Sequence, residues 1–478
     1  MDKYTTPEIL AIPTAENLRN ELKSQEGSEV RKQISALFDE GTFIETGAFV
    51  KRGFSDFFAT EKSNEFEGVI CGYGAVDGKL VFAFAEDASR MSGAIDERHA
   101  KKIKDIYALA IKNGAPIVGF FNSNGTDIFA GTAGLAAYGT IMSAVSEASG
   151  LIPQIAFVTG KCIGLSAAIA AMFDFTVKTN KSSLYVTSPT LTGVEDATSS
   201  IIAFSGEESL CFAFVKNLIS FLPSNSDAGI SVSVCADNLN RMIGEVNFAG
   251  DAYAVLSAVA DNGVHFDVCS SFGASAVTSF ATVGGVKCGL IVSSYIKNNG
   301  KLCVASIRKI AKFINFCDSF NIPVVTLVDS DGLVIDADNE KQFFAPEIAR
   351  LATAYISASV PKITVIIGHA IGASYVLLGS KSFGADIVYA VDNSEVCALN
   401  ADSGVAFAWD KYITLEKTRE SLVEEWKATV SSPARAAASG EIDDIISVNE
   451  LRARICSALL MLSEKGQSAL FGRKVLPL

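Results

Sequence analysis

The stretch Gly160-Lys-Cys-Ile-Gly-Leu-Ser166 decides the fold of this chain, and a second stretch, Gly368-His-Ala-Ile-Gly-Ala-Ser374, repeats its pattern. An apolar run precedes each of them, at 154–159 and at 362–367, and favours a buried strand. A segment of strong helix formers follows the first, at 167–173. The pattern predicts a glycine turn from a strand into a helix. The first backbone N–H groups of that helix are free to hold an anion or a developing oxyanion.

Further spacings show that the repeat extends well beyond the turns. Proline-to-glycine spacings of nine and of eleven residues each occur twice, at the pairs Pro116/Gly125 and Pro323/Gly332, and Pro153/Gly164 and Pro361/Gly372. The halves are offset by 207 residues (323 − 116) at the first pair and by 208 (372 − 164) at the last. We therefore expect two homologous α/β domains of strands and crossover helices, 1–228 and 229–478, with a linker at 223–229.

Periodicity and turn chemistry place the other elements. Tight hairpin turns are expected at Asp77-Gly78 and Gly284-Gly285, each between two apolar runs. The segment Gly72-Tyr-Gly74 forms a loose GxG pattern, but a strand follows it where a dinucleotide site needs a helix. Helices are predicted at 8–24, 26–38, 96–113, 131–149, 207–220, 303–319, 414–428 and 448–464.

Composition bounds the class of protein. Of the 478 residues 49% are hydrophobic and 19% are charged, so the chain can bury large cores and is not a disordered protein. Its net charge of −13 argues against a nucleic-acid partner. The cysteines form no CxxC pair and no apolar leader opens the sequence, so we expect a cytoplasmic protein. The longest uncharged apolar stretch, at 162–173, is too short for a membrane span. The three histidines show no metal-ligand spacing, so no metal is expected.

Several motifs together give the chain a specific resemblance that covers nearly its whole length. They are Gly150-Leu-Ile-Pro-Gln154, Gly160-Lys-Cys-Ile-Gly164, Asp174-Phe-Thr-Val177, Phe316-Cys-Asp-Ser-Phe-Asn-Ile-Pro323, Val360-Pro-Lys-Ile-Thr-Val365 and Pro433-Ala-Arg-Ala-Ala-Ala-Ser-Gly-Glu-Ile-Asp443. On these residues the chain resembles the carboxyltransferase subunits of biotin-dependent acyl-CoA carboxylases and decarboxylases. That group includes propionyl-CoA carboxylase β chains and the α subunits of methylmalonyl-CoA and glutaconyl-CoA decarboxylases. The fold that this resemblance implies is α/β, a tandem pair of crotonase-like domains.

The resemblance also implies an activity, the transfer of a carboxyl group between carboxybiotin and the α-carbon of an acyl-CoA. The implied active site lies between the N-domain of one subunit and the C-domain of another. Gly164 and Leu165 are expected to serve the acyl-CoA through their N–H groups. Gly372, Ala373 and Ser374 are expected to serve the biotin, which a separate carrier protein or domain bears. One oxyanion hole then steadies the thioester enolate, and the other polarises the ureido oxygen.

The implied assembly is a dimer or a hexamer, the hexamer being a trimer of dimers. A biotin carboxyl carrier protein or domain is the first expected partner. A biotin carboxylase, a membrane decarboxylase subunit and a second carboxyltransferase chain in a hetero-oligomer are further candidates.

Other residues near the turns are candidates for substrate contact, each with a simpler alternative. Lys161 is a candidate for a phosphate or carboxylate contact, or else a solvated lysine. His369 is a candidate hydrogen-bond donor to a biotin carbonyl, or a base, or else a hydrogen-bonded turn histidine. Ser166 and Ser374 are candidate substrate contacts, whereas capping of their helices is the more ordinary role.

The strand-end loops and one cysteine complete the candidates. Gly125 and Gly332 end the loops in which α/β sites lie and are expected to contact substrate, with Asp127 and Asp331 beside them. Cys162 sits at the mouth of the first turn like a nucleophile, although a buried packing residue is the more ordinary interpretation.

Departures from the family pattern concentrate at the same turns. Leu165 and Ala373 stand where the family usually has a second glycine, and the Leu165 side chain is expected to crowd a thioester. Asp127 stands where the family typically has an arginine. The segment after Ser188-Pro189 is shorter than the acidic, glycine-rich segment that the family carries there.

Three interpretations of function follow. The first is a divergent but working carboxyltransferase for an unusual acyl-CoA. The second is a catalytically degenerate paralogue that keeps the fold and serves as a structural subunit beside a working partner. The third is another crotonase-type reaction, such as thioester hydrolysis or isomerisation. It needs a carboxylate near the first turn, and the sequence places none there. Neither the acyl chain nor the direction of the reaction follows from the sequence.

Overall fold

The computed structural model describes residues 14–24, 27–51, 66–126, 131–194, 199–243, 250–414 and 416–465. The strands among these residues form two sheets of eight strands each. The strands of the first sheet come from the first half of the chain and those of the second sheet from the second half.

The first half supplies eight strands and seven helices among the described residues. The strands are β1 Ile44–Thr46, β2 Val69–Val76, β3 Lys79–Glu86, β4 Ile117–Ser123, β5 Gln154–Ile163, β6 Phe175–Thr179, β7 Ser183–Tyr185 and β8 Ile202–Gly206. The helices are α1 Ala15–Lys23, α2 Glu29–Leu37, α3 Glu97–Asn113, α4 Thr132–Ala148, α5 Leu165–Met172, α6 Pro189–Thr192 and α7 Glu208–Phe221.

The second half repeats the strand count and adds helices towards its end. The strands are β9 His265–Val268, β10 Ala276–Val283, β11 Val286–Ser293, β12 Val324–Ser330, β13 Lys362–Ile371, β14 Ile387–Val391, β15 Glu395–Cys397 and β16 Asp444–Ile446. The helices are α8 Ala252–Val259, α9 Val304–Ser319, α10 Ala337–Lys341, α11 Phe344–Ser357, α12 Ala373–Leu377, α13 Ala401–Gly404, α14 Arg419–Thr429, α15 Pro433–Ala438 and α16 Leu451–Leu462.

The two sheets have the same topology. The first has the order β1-β2-β3-β4-β5-β6-β8, with β7 paired to β5, and the second has β9-β10-β11-β12-β13-β14-β16, with β15 paired to β13. Antiparallel hairpins open each sheet, and the strands from β3 and from β11 onwards pair in parallel. The predicted repeat therefore holds for every strand of the two sheets. The boundary between 228 and 229 falls between α7 and α8 and stays a prediction.

Both hairpin turns adopt the conformations that their residues favour. Asp77 and Gly78 have φ of +49° and +74°, as a type I′ turn requires. The carboxylate of Asp39 accepts hydrogen bonds from both of their N–H groups, at 3.1 and 3.0 Å. In the second half, Asp261 binds the N–H groups of the Gly284-Gly285 turn in the same way, at 2.8 and 2.9 Å. The repeat thus extends to the side chains that fix each hairpin.

Most predicted helices form within a few residues of their expected bounds. The helix predicted at 414–428 begins only at Arg419, because Thr418 caps it through its hydroxyl. The start of the helix predicted at 8–24 lies outside the described residues. Helix α11 was not predicted, although its apolar positions bury Leu351 and Tyr355.

Aromatic side chains join the two halves into one core. Phe175 of the first sheet lies with its ring centroid 4.7 Å from that of Phe316 and 6.0 Å from that of Phe280, both in the second half. Phe214 on α7 similarly lies 4.4 Å from Phe266. These rings belong to a hydrophobic cluster that contains residues of both halves.

Two lysines hold the end of α7, one from each sheet, and Lys287 reaches it from the other half of the chain. Lys79 on β3 donates to the carbonyl oxygens of Ile219 and Leu222 at 3.0 and 2.7 Å, and Lys287 on β11 donates to that of Phe221 at 2.8 Å. Positive charge is favourable at this end of a helix, because the last carbonyl groups have no helical partner. Burial lowers the pKa of Lys79 to about 8. Equivalent lysines of both sheets thus hold the end of α7.

The shared core predicts that the two halves unfold together. Replacing Phe280, which is fully buried, by alanine should lower the free energy of unfolding by roughly 3–5 kcal/mol, because it removes a buried ring and leaves a cavity. Denaturant unfolding followed by fluorescence and by circular dichroism should still show one transition. Phe407→Ala is the control, since that side chain is 85% exposed. Two separated transitions in the Phe280 variant would contradict the shared core.

Candidate functional site

The first glycine turn joins β5 to α5 at Gly164. This residue has φ +61° and ψ −129°, which favours glycine, and it forms the N-cap of α5. Its N–H donates to the carbonyl oxygen of Tyr185 at 3.0 Å. The N–H of Leu165, the first helical residue, has no intrahelical acceptor, and the described residues provide no other. The expectation that Gly164 offers its N–H to substrate is therefore wrong, because the residue that ends β7 already accepts it. Leu165 is the first residue of the turn whose N–H is free.

The second turn has the same geometry. Gly372 has φ +60° and ψ −134°, and its N–H donates to the carbonyl oxygen of Cys397 at 2.8 Å. The expectation for the N–H of Gly372 is corrected for the same reason, since β15 takes the place that β7 takes in the first half. Among the described residues the N–H of Ala373 has no acceptor. Each turn thus presents a free donor at matching positions, Leu165 and Ala373, and the next N–H, of Ser166 or Ser374, likewise has no acceptor among the described residues.

Side chains at the end of the neighbouring strand hold both turns in place. The Asn122 side-chain oxygen accepts the N–H of Lys161 at 3.2 Å, and the Asp329 carboxylate accepts the N–H of His369 at 2.8 Å. The preceding glycine is required in both halves, because a Cβ at Gly160 or at Gly368 would collide with the Asn122 or the Asp329 side chain. The sequence prediction missed the role of Asn122 and Asp329. The signal was present, since each lies three residues before the glycine of its strand-end loop.

The strand-end loops lie beside the turns, as predicted for Gly125 and Gly332. Gly125 has φ +119° and its N–H donates to the Ser123 hydroxyl at 3.1 Å. Gly332 has φ +102°, and its N–H lies 3.4 Å from the Ser330 hydroxyl that accepts it. Both loop N–H groups are therefore engaged within the chain. Contact of either glycine with substrate stays a prediction, while Asp127 lies outside the described residues.

The two turn serines are buried and do not cap their helices. The Ser374 hydroxyl donates to the carbonyl oxygens of Ser330 and Ile371 at 3.0 and 2.8 Å. The Ser166 hydroxyl lies 3.3 Å from the Tyr138 hydroxyl. The capping prediction is wrong, because neither hydroxyl accepts from the N–H groups of its own helix. The Ser166 side chain is 1% exposed and the Ser374 side chain 0%, which favours a role in fixing the turns over direct contact with substrate.

Comparison with known proteins gives these paired turns a context. Residues 23–202 and 198–475 match a family model described as the carboxyl transferase domain. The chain belongs to the carboxyl transferase domain family. The methylmalonyl-CoA decarboxylase subunit alpha of Propionigenium modestum is 34% identical to it, in an alignment that covers 91% of this chain and 90% of that protein. The methylmalonyl-CoA carboxyltransferase 12S subunit of Propionibacterium freudenreichii subsp. shermanii is 30% identical, with 93% and 90% covered.

A solved structure extends the similarity to the fold. A transcarboxylase 12S crystal structure, described as a hexamer assembly with methylmalonyl-coenzyme A and methylmalonic acid bound, matches with a TM-score of 0.85 at 29% identity and covers 95% of this chain and 93% of that chain. The carboxyltransferase therefore has the tandem crotonase-like fold and is an enzyme, so the predicted family, fold and reaction class are confirmed. None of these findings favours the catalytically degenerate paralogue.

The remaining candidates at the first turn of the carboxyltransferase differ in exposure. The Leu165 side chain is 44% exposed, so it lies at the surface of the turn. Lys161 is exposed, and among the described residues its amino group has no hydrogen-bond or ion-pair partner, so its role as an anion contact stays a prediction. Cys162 is fully buried, and burial raises the pKa of its thiol well above the usual range. The thiol is therefore not poised as a nucleophile.

His369 at the second turn is held in a polar cluster. Its Nδ1 lies 2.8 Å from the Asp329 carboxylate, and its ring stacks on Tyr295 with centroids 4.6 Å apart. Its Nε2 lies 3.8 Å from a Glu395 oxygen. The hydrogen bond to Asp329 raises the pKa of His369, against the opposing effect of burial. The strand that leads into the second turn thus carries a partly exposed imidazole with a raised pKa, four residues before Ala373. Its role as a hydrogen-bond donor to a substrate oxygen stays a prediction.

Neither a metal site nor a membrane span is found in the part of the chain that the structure describes. Within those residues no three His, Cys, Asp or Glu side chains are grouped to hold a metal ion. No helix among them is long and apolar enough to span a bilayer.

The Asp329–His369 pair predicts a shift in titration. Asp329→Asn should lower the pKa of His369, because the amide oxygen still accepts the N–H of the turn, as Asn122 does in the first half, but the negative charge is gone. The pKa is read from the pH dependence of His369 modification by diethyl pyrocarbonate, quantified by mass spectrometry. His265 is the internal control, since its pKa is raised by Asp267 alone. An unchanged His369 pKa would contradict the pairing.

The Asp329–His369 pair also makes the stability of the protein depend on pH. The folded-state pKa of His369 is raised above its unfolded value, so the pair stabilises the protein below that unfolded pKa, and this contribution is lost as the pH rises through the raised value. Asp329→Asn should therefore cost more stability in mildly acidic buffer than in alkaline buffer. Equal losses at both ends of the range would show that the charge of the pair contributes nothing.

Proposed function

We propose that this carboxyltransferase moves a carboxyl group between an acyl-CoA bound at the first turn and a biotin, borne by a carrier protein or domain, bound at the second turn. The observation that supports this most is the matched pair of free N–H donors, Leu165 and Ala373, on turns of equal geometry. Two reactants that each develop charge on an oxygen need two such donors. Gly164 and Gly372, the other two residues predicted to be catalytic, act by shaping the turns.

At the first turn the chemistry requires stabilisation of an enolate. Loss or gain of a carboxyl group at the α-carbon of a thioester places negative charge on the thioester oxygen. The N–H of Leu165 opens α5, a helix of eight residues, so the dipole of the first helical turn adds to its hydrogen bond. We assign the exposed Lys161 amino group to a phosphate or carboxylate of the same ligand.

At the second turn the surroundings suit a neutral ring with one carbonyl oxygen. A cavity of about 310 Å³ adjoins Gly372, and its lining is largely apolar: Gly372, Tyr375, Val376, Val396, Cys397, Ala398, Ala436 and Glu441. Glu441 within it accepts a hydrogen bond from the Tyr375 hydroxyl at 3.1 Å. We infer that a ureido ring binds beside this lining. The Ala373 N–H, which follows Gly372 in the chain, and His369 are the donors we assign to its oxygen.

Exposed apolar side chains near both turns support an oligomeric enzyme. Val186 and Leu191 follow β7 and are 63% and 82% exposed. Ile335 and Phe343 follow the second strand-end loop and are 98% and 72% exposed. Surfaces of this kind usually meet another subunit, and the transcarboxylase 12S neighbour is described as a hexamer. We infer that the first turn of one subunit faces the second turn of another, in a dimer or in a hexamer built from dimers.

The wider partners follow from the same proposal. The relatives named methylmalonyl-CoA decarboxylase and methylmalonyl-CoA carboxyltransferase subunits make methylmalonyl-CoA the first acyl-CoA to assay. The biotin carrier is the obligatory partner. A biotin carboxylase, a membrane decarboxylase subunit or a second carboxyltransferase chain completes the complex, and we place the enzyme in the cytoplasm.

Proline substitution tests the two N–H donors as a matched pair. Proline is tolerated at the first helical position and removes only the N–H. Leu165→Pro and Ala373→Pro should each lower the rate of carboxyl transfer from methylmalonyl-CoA to free biotin by about 10²–10³-fold, because one oxyanion donor is lost. Formation of propionyl-CoA is followed by chromatography.

Leu165→Gly is the control, since it keeps the N–H and removes the side chain. It should retain activity if the N–H is what matters. Acyl-CoA binding, measured by calorimetry, separates the sites, because Leu165→Pro should weaken it whereas Ala373→Pro and the control should not. Full activity in both proline variants would refute the proposed function.

A further inference from the structure

A buried cluster of ionisable side chains lies behind the first turn, and the proposed function assigns it no role. It consists of Glu67, Glu86 and His99, which are 4%, 3% and 0% exposed. The His99 Nδ1 lies 3.5 Å from a Glu67 oxygen. Among the described residues neither ring nitrogen of His99 has a hydrogen-bond partner. Such groups are costly to bury, so their presence calls for a function.

Glu86 connects this cluster to the first turn. Its carboxylate accepts the backbone N–H of Asn122 at 2.8 Å. The side chain of Asn122 in turn accepts the N–H of Lys161 at 3.2 Å, with Gly160 packed against it. A displacement of Glu86 is therefore passed through Asn122 to the residues that place the Leu165 N–H.

The second half of the chain lacks these ionisable side chains. At the offset of 207 residues that relates the two halves, Ala274, Ser293 and Ser306 stand in place of Glu67, Glu86 and His99. The fold therefore forms without the cluster. The second half carries its charge at the holding residue itself, Asp329, where the first half has the neutral Asn122. The cluster is thus a property of the first turn alone.

We propose that Glu86, supported by His99, is a positioning residue that holds the first turn through Asn122 and sets how strongly the Leu165 N–H binds negative charge. This assignment rests on the proposed function, in which that N–H serves the acyl-CoA. Glu86 is closed off from solvent, so it does not act as a base on the substrate.

The charge state of Glu86 also makes the rate of carboxyl transfer depend on pH. Burial raises the pKa of Glu86 to about 7, while His99 and the Asn122 N–H oppose that rise. The other titratable groups that face Glu86 are Tyr138 on α4 and Cys162 on β5, and burial raises the pKa of both well above neutrality. An ionised Glu86 adds negative charge behind the turn and weakens the binding of an enolate. The rate of transfer should therefore fall as the pH rises through the pKa of Glu86.

Two variants of Glu86 separate hydrogen bonding from charge. Glu86→Gln keeps an acceptor oxygen for the Asn122 N–H and cannot ionise, so its kcat should match that of the wild type at acidic pH and lose the alkaline decline. Glu86→Leu removes the acceptor, and kcat should fall roughly 10- to 100-fold through misplacement of the turn. The KM for methylmalonyl-CoA should change little, because the loss is in the transition state. Ser293→Ala, at the matching position of the second half, is the control and should leave kcat unchanged.

The outcomes distinguish this proposal from the proposed function. A Glu86→Gln enzyme with the wild-type pH profile, or a folded Glu86→Leu enzyme with wild-type kcat, would overturn the role of Glu86. If Glu86→Leu does not fold, the pH profile of Glu86→Gln alone decides. Should Leu165→Pro retain full activity, the proposed use of the first turn fails instead, whatever the Glu86 variants show.

Discussion

The structure depends on one hydrogen bond that each half of the chain makes once. A side chain at the end of one strand, Asn122 or Asp329, accepts the backbone N–H at the end of the next strand. The bond leaves no room for a side chain at the preceding glycine, Gly160 or Gly368. It also directs the chain into a turn whose own glycine N–H is taken by a third strand. Among the described residues free donors then remain at the start of each helix. The chemistry we propose is built on the first of them, the N–H groups of Leu165 and Ala373.

The two halves differ in where they keep their charge, and this difference suits two different ligands. In the first half the holding residue is neutral, and the carboxylates lie buried one layer behind it. In the second half the holding residue is Asp329, which raises the pKa of His369 beside the turn. A donor of hydrogen bonds to a neutral carbonyl oxygen benefits from that arrangement. An enolate is better served by a turn with no charge in front of it. Under the proposed function, one repeated geometry thus serves two distinct ligands because a few residues around it differ between the halves.

Much of the fold was predictable because the two halves of the sequence can be compared with each other. Equal spacings in the two halves predicted the repeat, and local turn chemistry predicted the hairpin turns and the glycine turns. The structure confirms each of them. The site was less predictable, because its decisive contacts join residues far apart in sequence. Nothing local shows that Tyr185 accepts the N–H of Gly164, or that Glu86 binds Asn122. The buried serines were misread for the same reason, since the acceptors of Ser374 include a residue 44 positions away.

A structure of the enzyme with bound methylmalonyl-CoA tests most directly whether the Leu165 N–H holds the thioester oxygen of an acyl-CoA. We expect the thioester oxygen at about 2.9 Å from the Leu165 nitrogen, with the second turn left to the biotin. A thioester bound at Ala373, or away from both turns, would contradict it.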